Sequence, residues 1–101
     1  INKAIDLIKP YSPEKIILFG SYAYGNPGDS SDIDLFIIKK LNEEEVRPFR
    51  LKIKSDLARQ FSKLNIFFDV IVDSEQRINK RIALGDLFYE EIYKKGKVVY
   101  E

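Results

Sequence analysis

Asp32 and Asp34 are the residues whose type and spacing could do chemistry. They open the stretch Asp32-Ile33-Asp34-Leu35-Phe36-Ile37-Ile38, whose apolar remainder reads as a β-strand. Successive side chains on a strand point to opposite faces, so the two carboxylates share one face and Ile33 and Leu35 take the other. Their Cα atoms then stand roughly 6.6 Å apart. Two carboxylates so placed can converge on one divalent ion, whose Mg–O bonds are about 2.0–2.1 Å. Without a cation they repel, by on the order of 4 kcal/mol at ~4 Å and an effective dielectric of ~20. An isolated Asp-x-Asp can equally be a strand cap followed by a solvated edge residue. Here the residues that follow are apolar enough for burial on both faces. An acid at the start of such a strand is expected to face a cleft or a partner.

Upstream, the apolar run Ile16-Ile17-Leu18-Phe19 ends in Gly20-Ser21. A strand that turns through glycine into a helix presents free backbone N–H groups, which suit an anion. Glycine permits both the tight turn and the close approach of a phosphate, and the Ser21 hydroxyl adds a donor. A third acid, Asp69, interrupts the strongly apolar Ile66-Phe67-Phe68-Asp69-Val70-Ile71-Val72. A charge inside such a strand is costly unless it is paired or metal-bound. If this strand lies beside the second one, at about 4.8 Å, Asp69 reaches the same ion; a salt bridge to Lys or Arg is the alternative. Asp73, beside Ser74, reads as a cap for the next helix.

Gly20-Ser21, ten intervening residues and then Asp32-x-Asp34, set in Ser31-Asp32-Ile33-Asp34-Leu35, resembles the signature of the polymerase-beta-like nucleotidyltransferase superfamily. The length, the third acid and the tail Ile92 to Tyr100 are most similar to the minimal nucleotidyltransferases, the MNT antitoxin partners of HEPN-domain toxins. The resemblance covers nearly the whole chain. It implies that Asp32 and Asp34 hold two Mg²⁺ ions, that Asp69 helps to hold the catalytic one, and that Gly20 and Ser21 contact the triphosphate of a nucleotide. Where many minimal members carry Arg, this chain has Tyr24, which removes one candidate counter-charge for phosphate.

Composition narrows the chemistry independently. The 101 residues include no Cys and no His, so thiolate sites, His-ligated zinc and Ser-His hydrolysis are excluded in this chain. Carboxylates remain, and they favour a hard, oxygen-ligated cation. A formal net charge of +1 gives no general attraction to long nucleic acid or to a membrane surface. No apolar run approaches the ~20 residues of a membrane span and no signal peptide is visible, so a cytoplasmic location is expected. The chain starts at Ile1 and contains no Met, so a short N-terminal piece is expected to precede it.

Positioning the acids requires the following elements. Ile1, Ala4, Ile5 and Ile8 recur at helical spacing and predict a helix over 2–9, ended by Pro10 and Pro13. A strand follows over 15–19, then a brief helical turn at Tyr22-Ala23-Tyr24. Residues 26–31 are turn chemistry expected to border the nucleotide site. Val46, Phe49, Ile53, Leu57, Phe61 and Leu64 form one stripe on a long helix ending near Lys63. Pro48 is tolerable only near a helix start, which places that start around Glu44 or Glu45. Strand 66–72 comes next, then a helix from Ser74 with Ile78 and Ile82 on one side. Gly85-Asp86 marks a break and a new cap, after which Leu87, Phe88, Tyr89 and Ile92 continue an apolar face through Lys95. Gly96 suits the C′ position, and Val98 to Tyr100 could add an edge strand. Tyr22, Tyr24, Tyr89 and Tyr93 are expected in the core or at an interface. The pattern predicts an α/β (α+β) fold, a small mixed sheet with helices packed on it, as one nucleotidyltransferase domain over 1–101.

The expected function is Mg²⁺-dependent transfer of a nucleoside monophosphate, AMP from ATP or another NTP, to an acceptor hydroxyl by two-metal in-line displacement. The resemblance points to a tyrosine of a HEPN toxin as acceptor, with the chain acting as antitoxin. Association as a homo- or hetero-oligomer stays open. The rival is a non-catalytic binding module that neutralises its partner by contact. Nucleotidylation of an antibiotic or other small molecule is disfavoured, because such enzymes generally carry an added acceptor domain.

Overall fold

Lys15–Phe19 (β1) holds the sheet together, because its alternate side chains feed two separate cores. A computed structural model describes residues 1–25 and 32–101; the turn expected at 26–31 lies outside the described residues. β1 pairs antiparallel with Ile33–Ile38 (β2) on one side and with Lys97–Tyr100 (β4) on the other. β2 pairs in parallel with Phe68–Asp73 (β3). The order is β3-β2-β1-β4, the mixed sheet expected. A parallel neighbour requires a crossover connection, and here the long helix between β2 and β3 supplies it.

Among the described residues, five α-helices flank the sheet: Asn2–Ile8 (α1), Ser21–Tyr24 (α2), Glu43–Phe61 (α3), Glu75–Ala83 (α4) and Leu87–Lys95 (α5). On one face, Ile16, Leu18, Leu35, Ile37, Val70 and Val72 pack with Ile5 and Ile8 of α1 and Ile53, Leu57 and Phe61 of α3. On the other, Ile17, Phe19, Phe36 and Ile38 pack with Ile78 of α4 and Tyr89 and Ile92 of α5. Both faces are therefore dry along most of β1 and β2. The polar residue of β2, Asp34, marks where the second core stops.

Several boundaries differ from the sequence reading for identifiable reasons. α1 passes into a 3-10 turn, Lys9–Tyr11, so Pro10 sits inside a turn and does not end the helix outright. α3 begins at Glu43, where Glu45 reaches back to accept the Asn42 amide at 2.9 Å. Pro48 is thus well inside α3; it and Glu44 are both exposed, where water can replace the lost hydrogen bond. Leu64 does not join the stripe. α3 stops at Phe61, a 3-10 turn follows, and Leu64 is left 65% exposed. β3 starts at Phe68, two residues after the expected Ile66. On α5 the buried face is Tyr89 and Ile92, whereas Leu87 and Phe88 are exposed. Tyr24 and Tyr93 are exposed as well, and of the four tyrosines read as core or interface only Tyr89 is fully buried. Gly96 is not left-handed (φ −68°); a Cβ there would meet the Ile92 carbonyl oxygen at 2.4 Å and Ile17 Cγ2 at 2.5 Å, so the glycine serves close packing.

Candidate active site

Asp34 stands second in β2, with Phe19 of β1 opposite it on one side and Asp69 of β3 in register on the other. Parallel register puts matched residues on the same face, so both carboxylates look toward the side covered by α4 and α5. Asp32 lies one residue before β2, exposed, with the parity of Asp34. Asp69 is exposed rather than buried in a strand interior, because it is the second residue of an edge strand.

Gly20 locks the first strand against this group. Its backbone lies at φ 72° and ψ −158°, a region essentially confined to glycine. A Cβ built there would lie 2.0 Å from Asp34 Oδ2. The Asp34 carboxylate therefore occupies the space that the missing side chain leaves. Ser21 then opens the single helical turn α2, in which the Ala23 and Tyr24 amides donate to the Gly20 carbonyl at 3.0 and 3.1 Å. The leading amides of such a turn have no acceptor within the helix. Sequence reasoning misses the contact between Gly20 and Asp34. The signal for it is a strand ending in glycine that runs antiparallel to the acidic strand.

The electrostatics are unbalanced. Burial pushes the Asp34 carboxyl above its ordinary value of 3.8, and the charges of Asp69 and then Asp32 push it the same way. Among the described residues, none of the three acids has a Lys or Arg within ion-pair distance, so the salt-bridge alternative for Asp69 does not hold there. Among the described residues, too, no group of three acidic side chains converges closely enough, as oriented, to grip a metal ion. The donor set is nonetheless all carboxylate oxygen and carries uncompensated charge, which is the chemistry a hard divalent cation requires.

Asp73 has a different role from the helix cap expected of it. Ser74 caps α4, accepting from the Arg77 amide at 3.2 Å. Asp73 is 3% exposed at the far end of β3. It accepts from the Ser74 amide and the Tyr89 hydroxyl, both at 2.9 Å, and pairs with Arg77 Nε at 2.8 Å. It is a structural acid that ties α4 and α5 to the sheet.

Comparison with known proteins agrees with this fold. The sequence profile of the family described as "Polymerase beta, Nucleotidyltransferase" matches residues 2–101. A relative from Methanocaldococcus jannaschii, named "Putative protein adenylyltransferase", is 33% identical over 87 residues, covering 86% of this chain and 78% of its own. A solved structure described as "Crystal structure of the toxin-antitoxin with AMP-PNP" shares the fold, with a TM-score of 0.58 at 24% identity over 98% of this chain and 71% of that one. The strand order, the packed helices and the profile match over almost the full length lead to one conclusion: the chain belongs to the polymerase-beta nucleotidyltransferase family and is a minimal nucleotidyltransferase.

Proposed function

We propose that the chain, acting as a single domain over residues 1–101, transfers AMP from ATP to a hydroxyl of a protein acceptor in a Mg²⁺-dependent reaction that breaks the α–β phosphoanhydride bond and releases pyrophosphate. Asp32, Asp34 and Asp69 are its catalytic and metal-holding residues, and Gly20 and Ser21 its nucleotide-binding residues. The observation that carries this reading is the juxtaposition at Asp34, which has Asp69 in register on one side and the side-chain-free Cα of Gly20 against its carboxylate on the other. The relative named as a protein adenylyltransferase supports AMP as the group moved and a protein as its acceptor. The neighbour described as a toxin-antitoxin with AMP-PNP supports a toxin partner and an adenine nucleotide. A HEPN-domain toxin, modified on a tyrosine, is the partner this reading favours.

Each residue has a task. Asp32 and Asp34 would hold Mg²⁺, with Asp69 sharing one of two ions, and the metal when bound supplies charge neutralisation and a lowered acceptor pKa. Gly20 leaves the backbone open to the triphosphate, and Ser21 offers it a hydroxyl donor. Asp69, exposed like Asp32, can take the proton of the acceptor hydroxyl.

The test is transfer of label from ATP, in Mg²⁺, to the product of the adjacent gene. The wild type should label that protein, and Asp32→Asn and Asp34→Asn should reduce labelling to background. A tight complex with no label, unaffected by those variants, would establish neutralisation by contact instead.

A further inference from the structure

The turn after α4 and the first residues of α5 display apolar side chains largely to water. Leu84 is 79% exposed, Leu87 76% and Phe88 49%, all within five consecutive residues. Hydrogen bonds fix the turn. Gly85 adopts φ 92°, Asp86 accepts from the Phe88 and Tyr89 amides at 3.1 Å each, and its own amide donates to the Arg81 carbonyl at 3.0 Å. A capped turn that holds leucines in water costs solubility and adds nothing to the core. Such a patch on a small domain marks an interaction surface.

Its position says what it meets. The Phe88 ring stands edge-on to Phe19, with centroids 6.0 Å apart. Phe19 is directly opposite Asp34 across the β1–β2 pair and one residue before Gly20. The ridge therefore begins one side chain away from the acids and runs outward along Phe88, Leu87 and Leu84. Lys80 and Arg81 lie beside Leu84 on the wall of a neighbouring cleft of about 540 Å³. A largely apolar surface that starts beside the acid cluster, with the exposed Lys80 at its outer end, fits a protein that must bring a hydroxyl to those acids.

We infer that the Leu84–Leu87–Phe88 ridge is the docking surface for the acceptor protein, which presents an apolar patch bordered by carboxylates. This rests on the proposal that the acceptor is a protein. Attraction to Lys80 orients the acceptor, Arg81 being paired with Asp86 at 3.9 Å, and burial of the ridge holds it while its hydroxyl reaches the end of β2.

The test uses the full chain and the product of the adjacent gene, with complex formation and AMP transfer measured separately. Leu84→Glu and Leu87→Glu should each weaken the complex at least tenfold and raise the acceptor's KM in parallel. They should leave ATP affinity and Tm unchanged, since both side chains are in water. Leu51→Glu, at an exposed leucine on α3, should match the wild type. Asp34→Asn should bind the acceptor normally yet fail to transfer. Should Asp34→Asn still transfer, the catalytic assignment fails, while the ridge is judged by the complex alone. Leu87→Glu binding the acceptor like the wild type overturns the inference. So does a wild-type homodimer that Leu87→Glu dissolves without loss of acceptor binding, since the ridge would then serve a second copy.

Discussion

At Gly20 two independent constraints meet in one atom that is not there. The backbone conformation is one that side chains avoid, and the space is already filled by Asp34 Oδ2, 2.0 Å from where a Cβ would be. Gly20→Ala should cost at least the ~1–3 kcal/mol of the strained conformation, read from urea unfolding. It should also displace the Asp34 carboxylate, so transfer should fall with stability. Asp34 itself supplies a sharper test because its sign is unusual. Burial first, then Asp69 and Asp32, raise its pKa above 3.8. A carboxyl whose folded-state pKa exceeds its unfolded value holds its proton more tightly when folded. Its charge therefore destabilises the fold above the folded pKa, and that cost vanishes below the unfolded value, where both states are protonated. In metal-free buffer, Asp34→Asn should melt above the wild type at pH 7. The gap should close as the pH falls toward 3.8. A variant that melts below the wild type at pH 7 would show that the carboxylate is already compensated.

At the scale of elements, one buried acid adds polar ties to the apolar packing that holds α4 and α5 on the sheet. The Tyr89 hydroxyl donates to Asp73 Oδ2 while its ring stands edge-on to Phe36 at 5.4 Å. Tyr89→Phe keeps the ring and loses the bond to a charged acceptor, so it should cost about 1.5–3 kcal/mol. Burial, and then Asp73, push the Tyr89 hydroxyl above its ordinary 10.0. The folded state keeps that proton longer than the unfolded one, so wild-type stability should fall as the pH rises from 10.0. Tyr89→Phe should lose that part of the alkaline decline, which unfolding at pH 9 and pH 11 will measure. This tie is not readable from the sequence, because Asp73 and Tyr89 are 16 residues apart and meet only after α5 docks. What is legible is local. The apolar run Ile16 to Phe19 ending in Gly-Ser locates β1, and the period of two along a strand puts Asp32 and Asp34 on one face of β2. Phase is lost wherever a turn resets it. Gly85-Asp86 starts a new helix, so Leu87 and Phe88 leave the face that Tyr89 and Ile92 keep. Asp69 is legible as an acid beside Asp34 but not as an exposed one, since edge position follows from strand order, which depends on long-range pairing.

At the scale of the whole molecule, the fold brings like charges together at one end of the sheet and leaves them for a ligand to balance. Asp34 and Asp69 come from strands joined by the whole of α3, and Gly20 follows a third strand, so the acid cluster exists only when the sheet is complete. A ligand that binds only this assembled state stabilises the entire chain through mass action. At a hundredfold excess over its Kd the gain is about 2.7 kcal/mol. For a chain of this size that is a Tm rise of roughly 10–20 °C. Mg²⁺ with a non-hydrolysable ATP analogue should produce such a rise in the wild type, and neither Asp34→Asn nor Asp69→Asn should show more than a small part of it. The stability order should therefore cross. Asp34→Asn melts above the wild type without ligand, because it removes an uncompensated charge, and below it once metal and nucleotide are present, because it has lost their binding. Neither half is decisive alone: a stabilising substitution could merely relieve strain, and a lost thermal shift could reflect a damaged fold. A reversal in the same variant excludes both. Parallel melting curves that never cross would mean the carboxylates are not what the cation and nucleotide bind.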